Sequence, residues 1–197
     1  MPSIHRIIWN KLGCHAGDIV PYSGHPWHAQ DRRALVELFS ELGYKIGAEI
    51  GVEKGLFSRC ICDMVPGVKL YCVDPWAPYN KQSKEREDKL YKYAMDRLVG
   101  CNVEVMRMSS LEASQKIVDR SLDFVYIDAL HDFDSVMMDI ILWTPKVRSG
   151  GIVSGHDYVN SYGFGVIPAV NSYTQTHSIN PWYITNEGFA SWFWVNP

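Results

Sequence analysis

The chain has no apolar run long enough for a membrane span, and the short stretch Ile7–Trp9 near its start falls far below a signal-peptide core. It has no long basic run, and its net charge of −3 offers a phosphate backbone little to bind, so neither nucleic acid nor membrane is an expected partner. Its five cysteines (Cys14, Cys60, Cys62, Cys72, Cys101) are odd in number and follow no zinc spacing, which leaves them as buried free thiols. It has no internal repeat and no low-complexity segment. A cytoplasmic location is expected. With 47% hydrophobic residues in 197, disorder is not the expected state and one substantial core is.

What is there alternates. Lys45–Val52, Lys69–Asp74, Val103–Met108, Asp123–Asp128 and Gly151–Gly155 read as strands, several of them apolar at consecutive positions, as strands covered on both faces are. Between them, Leu56–Val65, Ser83–Val99, Leu111–Val118 and Phe133–Val147 are long enough to be crossover helices. Pro66-Gly67, Gly100 and Ser149-Gly150-Gly151 mark the turns. Helical spacing over Ala29–Leu42 puts a helix before the sheet, and Val166–Thr176 reads as another after it. Trp182–Thr185 and Ala190–Val195, joined through Asn186-Glu187-Gly188, form a closing hairpin. The expected architecture is an α/β, Rossmann-like sheet of seven strands, mostly parallel with an antiparallel C-terminal end and helices on both faces. It makes one domain over 1–197, with a substrate or cap segment at 1–44 and the core at 45–197. The doubly charged stretch Lys81–Arg97 reads as a solvated helix face, with a lid as the alternative.

In such a sheet, ligands gather at the carboxyl ends of strands where the strand order reverses. The first strand ends AEIGVEKGLFS, with Glu49 at the strand end, Gly51 allowing a sharp turn and Gly55 opening a helix. Asp74 ends the second strand, where an acid can accept from both hydroxyls of a ribose. The pair points to a nucleoside. A dinucleotide turn would read G-x-G-x-x-G, but Glu53 stands at the middle glycine and would repel a pyrophosphate. The ligand's other end should therefore be cationic, as in S-adenosylmethionine.

AEIGVEKGLFS, YCVDPW, LDFVYIDALHDFDSVMMDIILWTPKVRSGGIVSGHDY and GVIPAVNSY together resemble class I S-adenosylmethionine-dependent methyltransferases. More narrowly they resemble the small bacterial-type O-methyltransferases, often metal-dependent, that act on sugars and antibiotics. The resemblance covers roughly 46–175. It implies that Glu49, Gly51 and Gly55 line the methionine end, that Asp74 holds the ribose, and that Trp76 lies near the cofactor. It also implies that Ser109 and Ser110 lie near the adenine and Asp128 at the cofactor. Two adjacent serines at a helix start are also good N-caps.

Methyl transfer from a sulfonium to a hydroxyl needs positioning and the loss of a proton, by a general base or beside a divalent ion. In the family resembled, the metal ligands are an acid after strand four and two polar residues after strand five. The matching positions are Asp128, His156 and Asp157, with His156 less suited to Mg2+. His131 falls where relatives carry their base, while Asp132 and Asp134 read as helix-start acids. The expected acceptor is a small sugar, polyol or phenol, handled by a monomer or homodimer. The rival readings are a non-catalytic binding module and an NAD-dependent oxidoreductase. SGHPWHAQ (23–30) and the aromatics Trp182, Tyr183, Trp192 and Trp194 are candidate walls of the acceptor pocket.

Overall fold

Strand–helix alternation becomes a seven-stranded sheet in this computed structural model, which describes residues 4–12, 32–79, 82–185 and 187–197. Helices α1 (Ile4–Leu12) and α2 (Arg32–Glu41) come first. Then β1 (Ile46–Ile50), α3 (Leu56–Met64), β2 (Lys69–Val73), α4 (Lys84–Arg97) and β3 (Val103–Met106) form one half. The short helix α5 (Ser110–Ser114), β4 (Leu122–Ile127), α6 (Phe133–Trp143), β5 (Val147–Gly155) and α7 (Val166–Thr176) follow, before β6 (Trp182–Ile184) and β7 (Trp192–Val195). The strand order is β3-β2-β1-β4-β5-β7-β6, with β1 to β5 parallel and β7 antiparallel to both its neighbours. The chain runs outward from β1 to β3, then returns to place β4 on the other side of β1. The reversal point therefore lies between the carboxyl ends of β1 and β4.

Alternate residues of each strand feed two cores. One face packs Leu70, Cys72, Phe124, Tyr126 and Ile152 against α1 to α4, where Ile8, Leu35, Phe39 and Ile61 are buried. The other packs Ala48, Ile50, Val125, Ile127 and Val153 against α5 to α7, including Val136, Ile140, Trp143 and Val170. Each large aliphatic or phenyl side chain among them contributes about 1.5–3 kcal/mol of burial free energy, which favours the one register that keeps them inside.

Three expectations change. Helix α1 has no counterpart in the sequence reading; it is short, and its Ile8 is buried in the first core. Ser149-Gly150-Gly151 is not the turn before strand five but part of it. The β4–β5 register shifts there, and a Cβ on Gly151 would lie 2.4 Å from the Asp123 carbonyl oxygen. Helix α6 stops at Trp143 because Pro145 diverts the chain into a 3-10 turn over Thr144–Lys146. The segment SGHPWHAQ, Cys14, His15, His25, His28, the first residues of Ala29–Leu42 and Asn186 of the hairpin turn lie outside the described residues. No helix among the described residues is long and apolar enough to cross a membrane.

Candidate active site

A cleft of about 620 Å³ opens at the reversal point. Its floor is the β1 end and the turn after it. Gly51, at φ +91°, donates to the Val73 carbonyl at 2.9 Å, and a Cβ there would lie 2.1 Å from the Asp128 carbonyl oxygen. Glycine at this position is what lets the two strand ends meet. Gly55, at φ +70°, caps the start of α3 close to Ala94.

Glu49 is 1% exposed yet lines the cleft, and its carboxylate is bonded by the Ser58 hydroxyl. Burial pushes its pKa up to about 8, against the partial relief given by Ser58. Asp74 accepts from the amides of Val52 (3.0 Å) and Glu53 (2.9 Å) on Oδ2 and of Trp76 (2.7 Å) on Oδ1. Those turn amides are the donors a pyrophosphate would need, and they are committed to Asp74. That is a second physical reason, beside the charge of Glu53, why the turn does not suit a dinucleotide. Three of the roughly four lone-pair positions of a carboxylate are used, leaving room for a further donor.

Trp76 is in the core rather than on the cleft wall. Its indole donates to the Glu53 carbonyl at 2.8 Å and packs edge-on against Tyr91, bracing the turn from behind. Ser109 is the N-cap of α5 in a full capping box with Glu112. Ser110 does line the cleft; its hydroxyl donates to the buried Asp139 and accepts from the Trp143 indole at 2.8 Å.

The other wall carries the polar cluster. Asp128 ends β4 with its amide bonded to the Ile50 carbonyl at 2.7 Å, and His156 follows β5 with its amide bonded to Ile127 at 3.0 Å. Asp157 sits at φ +60°, a left-handed conformation that costs a non-glycine residue free energy. His131 Nε2 is 2.9 Å from Asp157 Oδ2 and 3.8 Å from Asp128 Oδ1, and its ring packs on Phe164. His156 Nδ1 is 3.2 Å from Asp157 Oδ1 and 3.7 Å from Asp128 Oδ2. Bonding to Asp128 and Asp157 raises the His131 pKa to about 9. Burial works to raise the Asp157 carboxyl, but the bonds from His131 and His156 outweigh it and hold the acid well below its ordinary value.

Among the described residues, the group whose ligand atoms all lie within 4.8 Å of one another is Asp128, His131 and Asp157. Of the expected set Asp128, Asp157 and His156, the two acids fall in this group with His131 as its third member, and His156 stands beside them. Asp132 caps α6, accepting from the Ser135 amide at 3.0 Å, and Asp134 lies in its first turn, as helix-start acids do.

The sequence reading missed Arg32, which opens α2 and lines the cleft, with its guanidinium 5.0 Å over the Phe57 ring and 3.6 Å from Asp128. Nothing in the sequence separates it from Arg33 beside it. The reading of Lys81–Arg97 as a solvated face holds for most of α4, but Gln82, Arg86, Glu87 and Leu90 line the cleft. Trp182, Tyr183, Trp192 and Trp194 belong to the core and not to the cleft. Trp192 reaches the site indirectly, its indole donating to the His156 carbonyl at 3.2 Å.

Residues 48–158, more than half of the chain, match a family described as a methyltransferase domain. The chain belongs to that family. The S-adenosylmethionine-dependent methyltransferase recognised from its sequence is the assignment this supports. The methyltransferase domain is also 30% identical over 129 residues to the uncharacterized protein y4gI of Sinorhizobium fredii, a match that spans 60% of this chain and 14% of that protein. A candidate caffeoyl-CoA O-methyltransferase of Staphylococcus aureus has the same fold, with a TM-score of 0.65 at 14% identity, covering 100% of this chain and 93% of that one. So does an O-methyltransferase of Bacillus cereus solved in complex with SAH, at 0.60 and 16% identity, covering 98% and 90%. The residues in the cleft suit the cofactor's chemistry: Glu49, Glu53, Asp74 and Asp128 line it, an acidic setting for a sulfonium and an ammonium.

Proposed function

We propose that this methyltransferase domain transfers the methyl group of S-adenosylmethionine to a hydroxyl of a small molecule, a sugar, polyol or phenol. The observation that carries the proposal is the imidazole of His131, 2.9 Å from Asp157 and beside Asp128 at the rim of the cleft that holds Glu49. In this reading Glu49 receives the methionine ammonium, Asp74 accepts from the ribose with its remaining lone pair, and Ser110 stands at the adenine end. The acceptor hydroxyl lies against the Asp128 side of the cleft, and its proton passes to Nδ1 of His131, Nε2 being held by Asp157. The neutral imidazole this needs becomes more abundant as pH rises toward about 9. Asp157 fixes the imidazole's orientation and stabilises the cation that results, as an acid behind a histidine base does.

Asp128 and Asp157, with an imidazole beside them, would also hold a divalent ion, which when bound stabilises the oxygen anion directly. Two carboxylates and a nitrogen suit manganese-type ions better than Mg2+, which prefers an all-oxygen shell.

The test is methyl transfer from radiolabelled S-adenosylmethionine to a panel of catechols, sugars and polyols, before and after EDTA and with Mg2+ or Mn2+ restored. His131→Ala should lower turnover by about 100-fold or more, the scale of a lost general base. Its SAH affinity by calorimetry should stay within about twofold. Turnover retained at saturating acceptor reduces His131 to a structural role. SAH binding with no transfer to any hydroxyl favours the binding-module reading.

A further inference from the structure

Three bases other than histidine line the cleft: Arg32, Lys54 and Arg86. Two are committed to acids near their own position. Lys54 Nζ is 3.1 Å from Glu53 Oε1, and Arg86 is paired closely with Glu87 and bonded to Gln82 at 2.7 Å. Arg32 differs. Among the described residues its ion pair is with Asp128 at 3.6 Å, beyond good hydrogen-bond length and shared with His131 and His156. Arg32 also bonds the Tyr126 side chain and feels Glu187, which leaves several of its five N–H donors for a ligand. The guanidinium carbon lies 5.0 Å over the Phe57 ring, a cation–π contact that helps hold the group against the cleft wall. It also stands close enough to Glu49 to influence that carboxyl. Asp128 is divided among Arg32, His131 and His156, so an incoming anion would find the guanidinium only partly neutralised.

We infer that Arg32 is the seat of a ligand carboxylate in this cleft, supplied either by the methionine tail of the cofactor or by the methyl acceptor. The inference rests on the methyltransferase reading. The chemistry is the same in both cases: the planar fork of an arginine matches a carboxylate with two parallel bonds. Glu49 and Arg32 on adjoining walls together offer an anion and a cation, which is what an α-amino acid requires. An acceptor carrying an acid group would use the same fork from the Asp128 side.

Calorimetry with SAH, and with 5′-methylthioadenosine, which keeps the nucleoside but has no amino-acid tail, separates the two sources. If the cofactor supplies the carboxylate, Arg32→Gln weakens SAH about tenfold or more and leaves 5′-methylthioadenosine within about twofold. If the acceptor supplies it, the SAH-saturated protein binds 3,4-dihydroxybenzoate about tenfold more tightly than 3,4-dihydroxybenzamide, and Arg32→Gln erases that difference. Arg32→Lys, which keeps the charge without the fork, should fall between wild type and Gln in whichever arm responds, and it serves if the Gln variant folds poorly. Unchanged SAH affinity together with no acid-over-amide preference overturns the inference. Wild-type protein that binds neither SAH nor 5′-methylthioadenosine overturns the methyltransferase reading instead.

Discussion

Glu49 and Asp74 are both acids at strand ends, but the fold uses them differently. Glu49 is buried with a single hydroxyl partner, so at neutral pH the free protein keeps its proton. A cationic ligand end should expel that proton. SAH binding measured at pH 7 in buffers of different ionisation enthalpy should therefore show release of up to about one proton, absent in Glu49→Gln. Asp74 is tied to three amides, so it works as a staple for residues 51–55 as well as a ligand group. Asp74→Ala should weaken SAH by about tenfold or more and also lower the melting temperature, because three amides, two of them part-buried, lose their acceptor. Unchanged affinity would remove Asp74 from the cofactor site.

At the scale of elements, two glycines tie strand ends and loops to the site, and they should fail differently. Gly51→Ala places a methyl 2.1 Å from the Asp128 carbonyl oxygen in a backbone conformation that alanine resists. A loss on the order of 3 kcal/mol in urea unfolding is expected, together with loss of SAH binding. Gly165 precedes α7; its amide donates to the His131 carbonyl at 2.7 Å, and a Cβ would lie 2.2 Å from the Phe133 amide nitrogen. If His131 is the base proposed above, Gly165→Ala should displace it and depress turnover while sparing SAH affinity, since it touches the His131 loop and not β1. The strands and most helices were legible because apolar runs and turn residues impose them locally. Val166–Thr176 agrees to the residue. The extension of β5 back to Val147 was not legible, because Ser149-Gly150-Gly151 has turn composition and only pairing with β4 makes it strand. The same limit applies to the site. Asp128, His131 and Asp157 stand next to strand ends and could be read, whereas Arg32 reaches the cleft only through the packing of α2 on α3.

For the molecule as a whole, the titrating groups of the site shape stability against pH. Protonated His131 is favoured by its two carboxylates, so its contribution is complete below its ordinary 6.5 and is lost as pH rises through about 9. Asp157 is held low, so its contribution is present above its ordinary 3.8 and fades as pH falls further. The cost of burying Glu49 builds up between its ordinary 4.5 and about 8, where the unfolded chain gives up a proton that the folded one retains, and is complete above that. Ligand-free protein should therefore be most stable in mildly acidic solution. Melting curves from pH 4 to 10 should show Glu49→Gln flatter than wild type below pH 8. His131→Ala should be flatter above pH 6.5, and parallel curves would refute both assignments.

Strand β7 lies between β5 and β6, although it follows both in the chain. Until Trp192–Val195 arrives, β5 has an open edge, and the Trp192 indole that braces the His156 carbonyl is missing. During synthesis, a chain carrying every residue of the cleft would therefore still have an unbraced site and an aggregation-prone strand. Assembly of the polar rim of the cleft is coupled to the pairing of these four residues, so a chain truncated before Trp192 should carry its cleft residues with the β5 edge unsealed.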